Sequence, residues 1–386
     1  SSKIKKQLKQ VEYINFRGTS LISNHSIDFN LNSKNSWGNF SMIGDLGNGI
    51  FHKIKSVKTF SVNADFVDLE LSRWISKKSV FRLGGSLSAN GDFSDKENPT
   101  FIWKVNNSSI SSKKIFISDI AIEGRVKENQ LRNTLSINSE SINLKSDVLY
   151  NYNIDVPETT LLVNIEKWDL NTMGFVTGDG KKEFKGVISS NTKGDSFEMM
   201  RGNIKISSAS LKNKIETLRF NPISITHESI NNTNHLSIVN SDCIEGEAKG
   251  NFKITELGAL FQSSFHTVYP FIPIKKVSKG QNINFKLKIY KKLLDAIYPS
   301  FSVSENIIFK GIINSNESNT QFVLDAPFIK YKENQFEKLH FEIDTKNTLF
   351  NSYLSVKNIS NKYFKGKDFN LISTKLKDTL FFRSEF

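Results

Sequence analysis

Six histidines, one cysteine and a close pair of glutamates are the residues through which this chain could do chemistry. A zinc site takes His and Cys at short, regular spacings, such as two His four residues apart on a helix. His25, His52, His227, His235, His266 and His340 are scattered with no two of them four apart, and Cys243 is the only thiol. They read as surface or strand-face histidines, and no metal site is expected. Glu245 and Glu247 could in principle be the paired acids of glycoside chemistry. They share the polar side of an alternating stretch, however, and read as solvated charges. Gly44, Gly47 and Gly49 are spaced G-x-x-G-x-G and no Lys-Ser/Thr pair follows, which is a glycine turn and not a phosphate loop. No G-x-S-x-G elbow, Walker loop or calcium loop is present. Cys243 has no partner for an internal disulfide, and no role is assigned to it. The chain reads as non-enzymatic and without a cofactor.

The elements that would carry these residues are clearest between His235 and Pro270. From Ile244 to Ile254 every even position is apolar or small, and the odd ones are Glu245, Glu247, Lys249, Asn251 and Lys253. That period of two predicts a strand with one face on apolar material and one in water. At Thr255, the expected N-cap, the period changes. Leu257, Leu260, Phe261, Phe265 and Val268 follow the i, i+3, i+4 rule of an amphipathic helix until Pro270.

At 386 residues, 38% hydrophobic and 24% charged, the chain is globular in composition. Phe supplies 31 residues against nine Tyr and four Trp, bulk without a polar handle. The net charge of +13 comes with eight Arg and 44 Lys. Arg is the residue suited to bidentate reading of phosphates and bases, so this balance argues against nucleic acid and for solvated strand faces. Lys275 with Lys276 and Lys291 with Lys292 flank the expected helices and are the better candidates for anionic headgroups. No apolar run reaches 18 residues, so no helix is expected to span a bilayer. No signal peptide is visible. The chain starts at Ser1 without Met and stops in mid-pattern at Phe386, which reads as a segment of something longer.

The pattern recurs along the chain. Strand Ser26 to Leu31 is followed by an expected turn at Asn32 to Ser36 and a strand from Trp37 to Ile43. Three passages share a layout: LGGSLSAN from Leu83, FKGVISSN from Phe184 and FKGIINSN from Phe309. Each precedes a second signature, at Leu135 to Ile137, Leu236 to Ile238 and Leu354 to Val356. First and second units are offset by 101 residues on both markers, and the third drifts to 125 and 118, with Ile215, Leu218, Phe220 matching Phe336, Leu339, Phe341 at 121. A period near a hundred is too long for one solenoid coil, so each unit should be several antiparallel strands side by side. The expected organisation is the end of a preceding unit at 1–60, units at 61–160 and 161–280, the latter with the helix at 255–269, and a unit at 281–386. Short helices are expected at Leu71 to Ile75, Thr255 to Tyr269 and Tyr290 to Tyr298. About fifteen strands at ~4.8 Å would make a sheet roughly 70 Å long. Three short helices cannot cover its apolar face.

Three stretches of this chain resemble the TamB family of diderm bacteria and its AsmA-like relatives in the bridge-like lipid transfer superfamily, the Bacteroidota branch in particular. They are Asp65 to Trp74 running into the Gly84, Gly85 strand, Trp168 to Leu170 followed by the Phe184 to Gly186 strand, and Gly250 to Phe252 running into Leu257 to Phe271. The resemblance spans nearly the whole chain and rests on strand patterns, not fixed residues. It implies an all-β fold in which a long curved antiparallel sheet forms a U-shaped hydrophobic trough, a repeating β-groove or β-taco, with a few short helices. It further implies a periplasmic protein, anchored to the inner membrane by a part not recognisable here, that shelters phospholipid acyl chains on their way to the outer membrane. An outer-membrane barrel of the BamA type (TamA-like) is the implied partner, and the family brings no catalytic residues.

On that reading the groove lining is Ile204, Ile206, Leu218, Phe220, Leu236, Ile238, Ile244, Phe252 and Ile254, continued by Leu257, Phe261 and Phe265 of the helix, with counterparts in the other units. Gly246, Ala248 and Gly250 either leave width for chains or relieve twist in a curved sheet. The helix either plugs, lines or gates the trough, or caps a sheet end. Two further classes stay open. A periplasmic scaffold would assist translocation and assembly of outer-membrane proteins by strand addition. A solenoid adhesin would present Trp and Tyr platforms, where this chain has Phe.

Overall fold

The computed structural model describes the chain apart from residues 1–13, 24, 37, 48–57, 71–80, 96, 113–114, 153–154, 173, 176–180, 215, 232, 299–300, 317–318, 348, 377–378 and 386. The fold is all-β: 24 strands belong to one antiparallel sheet, with two short α-helices among the described residues. The helix expected at Leu71 to Ile75, and the positions His52 and Gly49, lie outside the described residues. The strand number exceeds the fifteen expected because tight turns leave so little loop. Glu128 and Asn129, both with positive φ, alone join two strands, as a two-residue hairpin turn requires.

By its contacts the chain divides into two compact units, 1–189 and 190–386, where the sequence pattern suggested divisions near 60, 160 and 280. In the first unit β1 (Ile14–Ile22), β2 (Ser26–Asn35), β3 (Gly38–Gly47), β4 (Thr59–Glu70), β5 (Arg82–Asp92), β6 (Thr100–Ser111), β7 (Phe116–Lys127), β8 (Gln130–Asn138), β9 (Ile142–Asn151) and β10 (Glu158–Asp169) follow in order. β11 (Glu183–Lys193) runs across the division. From β1 to β10 each strand pairs with the next. The turn expected at Asn32 to Ser36 is strand as far as Asn35. Ser33 and Asn35 lie on the parity of Ile27, Phe29 and Leu31, are buried there, and satisfy one another through Asn35 Nδ2 to Ser33 Oγ at 3.2 Å. Local polarity alone therefore misplaced the turn.

A line of bulges crosses one end of this unit. Registers shift between Phe66 and Leu69, Gly84 and Ser86, and Val105 and Ser108. Asp68, Asn107 and Asp119 there adopt φ near +50°, a conformation that short polar side chains tolerate. Bulges in register on neighbouring strands bend and twist all of them together.

The second unit holds β12 (Arg201–Lys212), β13 (Thr217–Arg219), β14 (Ile223–Ile230), β15 (Thr233–Val239), β16 (Ile244–Gly250), β17 (Asn282–Tyr290), β18 (Phe301–Val303), β19 (Asn306–Asn314), β20 (Asn319–Tyr331), β21 (Asn334–Asp344), β22 (Ser352–Ser360), β23 (Lys365–Leu376) and β24 (Thr379–Glu385). Helix α1 (Leu257–Val268) separates β16 from β17, and α2 (Lys291–Ile297) follows β17. Both match the expected periodicity to within a few residues. The strand expected to run on to Ile254 stops at Gly250, whose φ of +147° turns the chain away. Asn251 bonds across to Asn282, and Phe252 drops into the core at 2% exposure. The helix is capped at Glu256, not Thr255. A 3-10 turn at Ile254–Glu256 intervenes because a distant carboxylate, Glu198, takes the amides of Ile254 and Thr255 at 2.6 and 3.1 Å.

Candidate functional site

Strand pairing converts the alternation into rows. In the first unit Leu31, Met42, Ala64, Leu87, Val105, Ile122 and Leu135 stand opposite one another from β2 to β8. Two residues along, on the same face, runs Phe29, Gly44, Val62, Ala89, Trp103, Gly124, and two further on Phe60, Gly91, Phe101, Val126, Leu131, Tyr150. Three rows two residues apart give an apolar band about 13 Å wide, and seven strands make it about 29 Å long. The described residues of this unit contain no helix, and Leu87, Val105, Ile122 and Leu135 are only half-buried.

Three aromatic rings of the band lie against glycines. A Cβ placed on Gly124 would stand 1.9 Å from the Trp103 ring, one on Gly91 2.5 Å from Phe60, and one on Gly44 2.7 Å from Phe29. Each glycine is the cross-strand partner of the ring above it. Phe60 and Trp103 also meet Phe101, at 5.6 and 4.9 Å between centroids, so the rings tile one end of the band. Replacing Gly124 by Val should push Trp103 off the sheet. The expected result is a red-shifted Trp emission and a loss of about 1–3 kcal/mol, the usual range for overpacking, read by denaturant titration. An unchanged spectrum would mean that the ring does not rest there.

In the second unit an apolar row runs Ile204, Ile225, Ile238, Gly246, Leu287, Phe309, Leu324, Phe341, Leu354, Leu371 over ten strands. Here helices cover the middle of the row. Leu260 and Val268 of α1 are buried with Phe252, Phe285, Ile313, Phe322 and Ile343. Phe261 meets Phe285 at 5.0 Å and Phe265 meets Phe322 at 4.9 Å. Leu294 of α2 packs on a neighbouring cluster of Val303, Ile307, Ala326 and Ile329. At the far end of α1, Tyr269 Oη lies 2.7 Å from Ser352 Oγ, and Lys375 Nζ donates to the Thr267 carbonyl at 3.1 Å.

The expected lining residues thus fall into three groups. Ile204, Ile206, Leu236, Ile238 and Ile244 stand on one face of β12, β15 and β16, paired into the rows. Leu218 faces Leu211 across β12 and β13, beyond Ser208, whose φ of +52° marks an irregularity, and Phe220 lies under the Lys292 ammonium at 5.4 Å. Phe252, Ile254, Leu257, Phe261 and Phe265 belong to the helix-covered core. The first unit's band was expected only as unnamed counterparts of these residues. Its signal is an aromatic residue and a glycine at hairpin-paired positions, which only the register reveals. Of the lysines noted for headgroups, Lys291 pairs with Asp295 and Lys292 with Asp242, whereas Lys275 and Lys276 are exposed. Cys243 is buried beside Ser241, and burial pushes its thiol up. Glu245 accepts from Tyr290 Oη at 2.6 Å, and Glu247 sits between Lys249 and His235 at 3.2 and 3.3 Å.

No family model, curated protein or solved structure matches the chain.

The Glu198 carboxylate is the polar anchor of α1. Partial burial works against its charge, but hydrogen bonds from Thr255 and Ile254 outweigh this and hold its carboxyl below the usual range. A carboxylate of lowered pKa stabilises the fold fully above its ordinary pKa, and that stability is lost as pH falls through the folded value. Glu198→Gln should therefore loosen the helix start at neutral pH by about 1 kcal/mol, the typical worth of a cap. Amides 254–260 should exchange roughly five-fold faster, and the gap from wild type should close in acid. Equal exchange at neutral pH would remove the anchor from the account.

Proposed function

We propose that this chain is a non-enzymatic apolar surface of the bacterial envelope that shelters phospholipid acyl chains in the periplasm between inner and outer membrane, as its resemblance to the TamB family implies. The observation that carries the reading is the first unit's band of three apolar rows in register, with no helix over it among the described residues. Exposing a methylene to water costs roughly 0.8 kcal/mol, so an acyl chain of about sixteen carbons would cost roughly 12 kcal/mol in transit. A band along which the chain stays covered removes most of that barrier, and headgroups remain in water. No bond is made or broken. An inner-membrane anchor outside this sequence and a BamA-type barrel would supply the two ends of the path.

The test is incubation with a bacterial lipid extract, re-isolation by gel filtration, and mass spectrometry of what co-elutes. Phospholipid at one or more per chain is the expected result. Folded protein that stays free of lipid yet captures unfolded outer-membrane strands would move the assignment to a scaffold acting by strand addition.

A further inference from the structure

The cover over the second unit is not close-packed. A pocket of about 240 Å³ lies between the second half of α1, the segment 274–279 that returns along it, and the adjoining ends of β19 and β20. Its apolar lining includes Leu260 and Ile313, both almost fully buried, and Val277. The hydroxyls around it have spent their protons on the protein itself. Ser263 Oγ donates to the Lys275 carbonyl at 2.6 Å, Ser264 Oγ to the Leu260 carbonyl at 2.8 Å, and Thr267 Oγ1 to the Ser263 carbonyl at 3.2 Å. A hydroxyl has one proton to give, so these three hydroxyls have none left for a sugar or a nucleotide. The charges in the lining belong to Lys275 and Lys279, exposed and without an ion-pair partner among the described residues.

We propose that this pocket binds a single-chain anionic amphiphile, its aliphatic chain against Leu260, Val277 and Ile313 and its head between Lys275 and Lys279. The volume matches a chain of about eight methylenes, each displacing roughly the ~30 Å³ share of one water. The site belongs to the second unit alone and does not depend on the first unit's band being a lipid path.

Octyl phosphate, titrated calorimetrically below its micellar concentration into the whole chain, is the probe. One site per chain is expected, weakened at least tenfold in the Lys275→Glu/Lys279→Glu variant, whose changes are on the surface and leave the fold intact. Thr267→Leu, which fills the pocket from the helix side, should weaken it similarly, with α1 checked by circular dichroism. Octyltrimethylammonium should not bind, and the Ile122→Asp/Leu135→Asp variant should bind octyl phosphate as wild type does. Absence of binding, unchanged affinity in the lysine variant, equal binding of the cationic probe, or displacement by inorganic phosphate at the same concentration would each overturn the proposal.

Discussion

Ile122→Asp combined with Leu135→Asp is expected to strip bound phospholipid from the protein, by tenfold or more in lipid per chain, and to leave its β-sheet circular dichroism in place. The two residues are direct partners on β7 and β8 in the first of the three rows of the first unit. Both are half-buried. On a face that no helix covers among the described residues, two carboxylates stay hydrated, so folding loses only packing of side chains that were half-buried. Under an acyl chain the same carboxylates would have to shed their water without a partner, which costs several kcal/mol each. The asymmetry separates binding from folding. Arg132→Asp, on the opposite face of β8, is the control and should retain lipid, because Arg132 pairs with Arg125 and Leu149 away from the rows. Retention of lipid by the double variant would end the case for the band as its seat.

Phe322→Ala should be the most destabilising single truncation in the second unit, by about 3–5 kcal/mol. Its side chain is fully enclosed, and four rings surround it, Phe261, Phe265, Phe285 and Phe309, at 4.9–5.9 Å. Truncation leaves a cavity that α1 above and the sheet below, each held by its own hydrogen bonds, cannot collapse to fill. Phe381→Ala, removing a ring that is 53% exposed, should cost less than about 1 kcal/mol. Urea titrations of both variants decide the point. Similar small losses would mean that α1 sits loosely on the sheet.

The alternation from Ile244 to Ile254 carried the strand as far as Gly250, four residues short of its expected end, and the stripe of Leu257, Leu260, Phe261, Phe265 and Val268 carried the helix in its own residues. What went astray depended on partners far along the chain. Thr255 looked like a cap, but the group that receives its amide is Glu198, 57 residues away. Asn32 to Ser36 looked like a turn because two polar side chains that pair with each other, Ser33 and Asn35, are indistinguishable, one at a time, from two that face water. The candidate site divides the same way. Alternation says that one face is apolar. Whether a helix lies over that face, as in the second unit, is a question of packing that no local period answers.

On the lipid reading proposed above, the rings laid over Gly44, Gly91 and Gly124 would also decide what the band can discriminate. Side chains standing upright would give a corrugated surface whose methyl-sized steps favour particular positions of a guest. Rings pressed against the backbone fill the steps, and the energy of a hydrocarbon then changes little as it shifts along them. Such a wall has low friction and poor memory for chain length or unsaturation. Selection among lipids, where it exists, would have to be made by the polar margins that meet the headgroup.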